Sequence, residues 1–273
     1  MTPFLKQIYV YPVKSLAGFQ VAQWQVDKTG LRYDRKWMLI DESGQFLSQR
    51  RLPKMALIKT RIHNNQLLLS TTGQSDLLLP LNSDEGEDIV VQVWKDSCLA
   101  KAVGAFADIW LSQALGSRCR LVYFSEQQVR KVDPKYATEA DQTAFSDGFP
   151  FLIVSESSLQ ALNQAMALEL DMIRFRPNLV AAGCASYAED CWRQIVINGI
   201  GFRLPKPCSR CSVPTIDPET ALSTKEPLST LSRLRKWDNK IYFGQNALHD
   251  GHGVLKVGSE IQIRLTGDSQ PPL

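Results

Sequence analysis

The residues best equipped for chemistry are two cysteines separated by a serine and an arginine and bracketed by prolines: Pro205-Lys206-Pro207-Cys208-Ser209-Arg210-Cys211-Ser212-Val213-Pro214-Thr215-Ile216-Asp217-Pro218. Proline fixes φ and removes a backbone donor, so this stretch is expected to be a stiff, exposed loop that presents thiols. A thioredoxin-like dithiol needs its first cysteine at a helix N-terminus, and Pro214 and Pro218 spoil a helix there. A zinc site needs four ligands, and only a loose set could be gathered from Cys184, Cys191, His249 and His252. A single thiolate could instead complete the coordination of a metal in a bound cofactor, with Ser209 and Arg210 on that cofactor's anionic group. Two ordinary loop cysteines explain the spacing as well as any of these.

Basic residues fall at the ends of expected strands, in Lys14-Ser15, Asp34-Arg35-Lys36 and Arg176-Pro177-Asn178. Pro177 biases Arg176 toward an extended conformation. Each alone reads as a solvated surface charge. Together they would suit a phosphate, because arginine offers paired donors and lysine a point charge. His63 falls at a hairpin tip, and Asp147-Gly148 reads as a turn. Gly-x-Gly-x-x-Gly, the phosphate-binding P-loop and Gly-x-Ser-x-Gly are all missing, which weakens nucleotide and serine-hydrolase readings.

The elements that must position these residues are mostly strands. They are expected at 4–12, 19–26, 34–41, 46–48, 55–62, 66–70, 77–81, 89–94, 120–124, 149–154, 179–182, 195–197, 201–204, 242–246 and 253–265. Asn198-Gly199 is the strongest hairpin signal. Apolar residues at 106, 109, 110 and 114 predict a helix over 105–115 that Gly116 stops. Ser155 should cap a helix from Glu156 to about Leu168, and Pro227 should open a short helix to Trp237. Residues 125–147 read as a long polar loop joining two halves. So many short strands against three helices predict an antiparallel barrel or sandwich with peripheral helices rather than a doubly wound fold.

With 273 residues, the chain has room for one large domain or two ordinary ones. A net charge of +3 without like-charge runs suits a small anionic ligand and gives no case for nucleic acid. No signal peptide or membrane-length apolar run is visible, so a cytoplasmic protein with its 6 cysteines reduced is expected.

Taken together, Tyr11-Pro12-Val13-Lys14-Ser15, Asp34-Arg35-Lys36-Trp37, Phe175-Arg176-Pro177-Asn178, Cys208-Ser209-Arg210-Cys211, Thr215-Ile216-Asp217-Pro218 and Phe243-Gly244-Gln245-Asn246 resemble the MOSC family, particularly its amidoxime-reducing members. The resemblance implies a mixed α+β, β-rich fold: a barrel-like N-terminal region over 1–118, an antiparallel β-barrel MOSC domain over 119–267, and a flexible tail over 268–273. It also implies the molybdenum cofactor, with Cys211 as metal ligand and catalytic residue. Lys14, Ser15, Arg35, Arg176, Asn178, Ser209, Arg210 and Asn246 match positions that hold the pterin and its phosphate. The implied activity is reduction of small N-hydroxylated substrates. A soft thiolate suits a metal already held by sulfur, and an adjacent arginine favours its ionised form. Some bacterial relatives carry a C-terminal ferredoxin domain and the mitochondrial ones an N-terminal anchor. Neither pattern is present, so electrons are expected from a separate protein (a flavoprotein reductase, ferredoxin or cytochrome) and no membrane attachment is expected. A sulfur carrier or cofactor-delivery protein working through Cys211, or a zinc module, are the rival readings.

Overall fold

The computed structural model describes residues 2–272. The first part of the chain forms strands β1 (Phe4–Val10), β2 (Phe19–Val21), β3 (Gln23–Asp27), β4 (Gly30–Leu31), β5 (Trp37–Ile40), β6 (Lys59–His63), β7 (Gln66–Ser70), β8 (Leu77–Pro80), β9 (Asp88–Val93) and β10 (Asp96–Ala102). Helix α1 (Ala105–Leu115) and strand β11 (Arg120–Tyr123) follow. After a long connection come β12 (Phe151–Ser155), α2 (Glu156–Met166), β13 (Leu179–Ala182), β14 (Trp192–Ile197), β15 (Ile200–Ser209), α3 (Leu228–Leu234), β16 (Lys236–Trp237), β17 (Lys240–His249), β18 (Gly253–Lys256) and β19 (Ile261–Thr266).

The largest sheet runs β19-β14-β15-β17-β12-β13-β1-β2, with β16 paired to β17. It curls back on itself, because Leu5 N–H donates to Ser259 O at 2.8 Å and Ile261 N–H to Pro3 O at 2.8 Å. Leu5, Ile8, Phe151, Ile153, Trp192, Ile195, Phe202 and Leu204 fill its interior. Pairing is antiparallel except for β12 and β13, which run parallel. The expected antiparallel barrel therefore contains one parallel pair, made possible by the α2 crossover between those strands. The smaller sheets are β5-β11-β10-β9, β18-β3-β4 and β6-β7-β8. Sheet membership crosses residue 118 in both directions: β1 and β2 belong to the large barrel, while β11 pairs with β5 and β10.

Helices follow their local signals. Gly116 adopts φ 65° and its N–H reaches back to Gln113 O, ending α1. Ser155 accepts from Ser158 N–H as the expected cap of α2. On α1, Ala107, Trp110, Leu111 and Leu115 are buried, whereas Phe106 and Ile109 are exposed. Pro53 opens a 3-10 turn over Pro53–Leu57, where a strand from Met55 was expected. The single strand expected over 19–26 is two, and so is that over 253–265, since each half pairs in a different sheet. β10 carried no clear alternation and escaped the sequence reading. Among the described residues no helix is long and apolar enough to cross a membrane.

Candidate functional site

The strand carrying the cysteines is longer than its prolines suggested. β15 continues through Pro205 and Pro207 to Ser209, so the expected loop is a strand as far as Ser209. The prolines are tolerated because β14 pairs only with residues 200–203, which leaves one edge of the later segment without a partner strand. On its other side this segment pairs with β17, through Lys206 with Asn246 and Pro207 with Gln245, with register shifts on either side. Arg210 N–H then donates to Ile241 O at 2.7 Å, and the chain leaves the sheet to expose Cys211 before the Val213–Thr215 3-10 turn. Gly244 lets β17 lie close to β12. It has φ +80°, and a Cβ there would stand 2.6 Å from Val154 Cγ2.

All nine residues singled out from the sequence line one cleft: Lys14, Ser15, Arg35, Arg176, Asn178, Ser209, Arg210, Cys211 and Asn246. Three of them, Ser15 (φ 68°), Arg35 (φ 51°) and Arg176 (φ 55°), hold left-handed backbone that costs a non-glycine residue about 1–2 kcal/mol. Arg176 is thus not extended, as its following proline suggested. It caps the Met172–Phe175 turn with its N–H on Ile173 O at 3.0 Å. Such a conformation turns the side chain inward instead of along the strand.

The cationic groups are organised by Tyr11, which is fully buried. The guanidiniums of Arg35 and Arg176 each lie 4.3 Å from its ring centroid. Arg35 Nη1 donates to Asp34 Oδ2 and Nη2 to Arg176 O at 3.3 Å, while Asp34 Oδ1 accepts Tyr11 N–H at 2.8 Å. Arg176 Nη1 donates to Leu16 O at 2.7 Å, and its Nη2 is buried without a partner among the described residues. Burial, and then the neighbouring Arg35 charge, push the Arg176 guanidinium down to about 10. Arg210 donates through Nη1 to Cys208 Sγ at 3.2 Å and through Nη2 to Phe175 O at 2.8 Å, leaving its buried Nε without a partner among the described residues. Lys14 Nζ donates to Phe145 O at 2.7 Å and to Asp147 Oδ1 at 2.5 Å. Burial draws the Lys14 ammonium below its ordinary range, and the Asp147 carboxylate opposes that shift. Asn178 spends its amide on backbone, with Nδ2 on Tyr9 O and Oδ1 accepting Leu152 N–H, each at 3.3 Å. Asn246 Nδ2 lies 3.4 Å from Pro207 O.

Of Asp34-Arg35-Lys36, only Arg35 lines the cleft. Lys36 pairs with Glu126 at 2.8 Å, and Asp34 is buried beneath Arg35. The sequence reading missed a group of cleft residues that includes Phe46, Ser48, Arg50, Trp94 and Phe149, and it took Asp147 for a simple turn residue. None of these has a local pattern that separates it from an ordinary strand or turn residue. No group of three or more His, Cys, Asp or Glu side chains is placed to hold a metal among the described residues, so the loose zinc set is not assembled. The cleft therefore combines one exposed thiol with several cations that have donors to spare. That chemistry fits a thiolate-ligated metal carried by an anionic organic group.

Comparison with known proteins agrees in outline. Residues 2–118 match the MOSC N-terminal beta barrel domain and residues 140–262 the MOSC domain. Mitochondrial amidoxime-reducing component 1 of Mus musculus is 33% identical over 94% of this chain and 81% of that protein. Its Homo sapiens counterpart is 34% identical over 94% and 82%. Molybdenum cofactor sulfurase of Danio rerio is 33% identical over 94% of this chain, which spans only 34% of that longer protein.

Proposed function

The chain belongs to the MOSC family, and from that premise we propose that it is a molybdenum-cofactor-dependent reductase of N-hydroxylated compounds such as hydroxylamines, amidoximes and N-hydroxylated bases. The observation that carries this reading is the pair of arginines on the cleft. Arg176 Nη2 and Arg210 Nε are buried donors with no partner among the described residues, on the same cleft as the exposed Cys211 thiol. A buried donor left unmade costs about 1–3 kcal/mol, so two of them favour an anionic ligand that satisfies both.

The residues fit the group. Lys14, Ser15, Arg35, Arg176, Ser209, Arg210 and Asn246 would hold the pterin and its phosphate, with Asn178 supporting them through its backbone-bonded amide, and Cys211 would supply the protein's thiolate to the metal. When bound, the cofactor supplies two-electron chemistry that accepts the oxygen of an N–OH group. Arg210 keeps its guanidinium against Cys208, which holds it at the cleft beside Cys211. Tyr11 fixes the spacing of Arg35 and Arg176, so these charges need little reorganisation when an anion arrives. Electrons come from a separate donor protein.

The test is molybdenum content and benzamidoxime reduction with an artificial donor, for wild type and Cys211→Ala made in a cofactor-producing host. Stoichiometric molybdenum and turnover in wild type, with turnover abolished in Cys211→Ala, support the assignment. Molybdenum without turnover of any N-hydroxylated compound would instead point to cofactor delivery or sulfur transfer through Cys211.

A further inference from the structure

One wall of the cleft is not used by the reading above. Trp94 sits at the turn between β9 and β10 with φ 60°, a conformation that hairpin turns usually give to glycine or asparagine. Trp94 is 42% exposed, its Nε1 donates to Asp147 Oδ1 at 3.0 Å, and its ring centroid lies 5.1 Å from that of Phe46. A large apolar ring is thus left facing water from a strained position, yet pinned in orientation. Packing does not account for that; recognition of a flat ligand does.

Arg50 lies over this indole, 4.4 Å from its centroid. Its neighbour Arg51 pairs with Asp41, and Lys14 on the same cleft pairs with Asp147. Arg50 has no carboxylate in ion-pair range among the described residues. Stacking uses the face of a guanidinium and leaves its N–H edge free for a planar oxyanion.

We propose that Phe46, Trp94 and Arg50 form the substrate subsite of this cleft and select planar N-hydroxylated compounds that carry an oxyanion, carboxylate or phosphate. The proposal rests on the reductase reading for the N–OH end of the substrate. The indole stacks on the planar body and Arg50 holds the oxyanion.

The experiment uses holoenzyme, Arg50→Ala and Trp94→Ala. Each is assayed with benzamidoxime against 4-carboxybenzamidoxime, and with N4-hydroxycytidine against its 5′-monophosphate. Calorimetric binding of 4-carboxybenzamidoxime and molybdenum content are measured in parallel. Wild type should favour the charged member of at least one pair by about fivefold to tenfold in kcat/KM, the size expected of one partly exposed charge-assisted pair. The pair that shows the preference tells carboxylate from phosphate. In Arg50→Ala the preference should collapse toward parity, and Trp94→Ala should weaken both members. The same preference in wild type and Arg50→Ala overturns the proposal. Loss of molybdenum from Arg50→Ala also overturns it, because Arg50 would then hold the cofactor. Should no compound turn over, the calorimetric comparison still decides the subsite, and only the reductase reading fails.

Discussion

Arg176→Gln should make the cofactor-free protein more stable while making it a worse holder of cofactor. A guanidinium brought down from its ordinary value to about 10 by burial and by Arg35 costs the fold roughly 3 kcal/mol while it stays charged at neutral pH. Glutamine removes that cost. It also gives up the contact with Leu16 O and the stacking on Tyr11, together about 1–2 kcal/mol. The balance is a gain of about 1–2 kcal/mol, or a Tm higher by roughly 3–6 °C for a chain of this length. With cofactor present the sign reverses. The unpartnered Nη2 is the donor that an anion would satisfy, and losing one charge-assisted bond of about 1.5–3 kcal/mol weakens retention at least tenfold. The assay is calorimetric melting of both proteins from a host unable to make the cofactor, beside molybdenum content of both from a host that makes it. A cofactor-free variant that melts lower than wild type, with molybdenum retained, would refute the argument that Arg176 is held under strain for an anion.

Other substitutions probe separate parts of the structure. Cys208→Ala removes the acceptor of Arg210 Nη1 and should lower molybdenum retention about fivefold, while Cys208→Ser, which keeps an acceptor, should restore most of it in the same measurement. Gly244→Ala forces a Cβ to within 2.9 Å of Ile153 O in left-handed backbone, and should cost about 2–4 kcal/mol in urea unfolding. Glu189 accepts from Ser155 N–H and Ser158 Oγ at 2.9 and 2.8 Å, and burial raises its carboxyl above the ordinary 4.5. A raised carboxyl contributes stability that is complete below 4.5 and is lost as pH climbs through the raised value. Glu189→Gln should therefore gain on wild type in urea midpoint from pH 4.5 to pH 8; a gap that stays constant or shrinks with rising pH would contradict this.

Much of the candidate site and some of the fold could be read from the chain alone, where the controlling physics is local or the motifs are recognisable together. Gly116 and Ser155 marked helix ends because a cap acts within one turn, and Asn198-Gly199 marked a hairpin because the turn needs those two residues. The motifs carrying Lys14, Arg35, Arg176, Cys211 and Asn246 could be recognised as a set, and all five reach one cleft. What stayed hidden depended on contacts between distant segments. Pro205 and Pro207 argue against a strand until it is known that pairing with β14 ends at Arg203 and leaves that edge open. Pro177 argues for an extended Arg176 until the Met172–Phe175 turn and Leu16 O hold it left-handed. The spacing of 106, 109, 110 and 114 predicted the helix but not its buried side, which takes Ala107, Trp110 and Leu111 and leaves Phe106 and Ile109 exposed. Phe46, Arg50 and Trp94 carry no signature in sequence, and only the tertiary fold brings them to the cleft that Cys211 also lines. Residue types and short spacings thus determined which chemistry was available. The tertiary structure decided which charges share a cleft and which donors are left without a partner, because burial and convergence exist only once the sheets have closed.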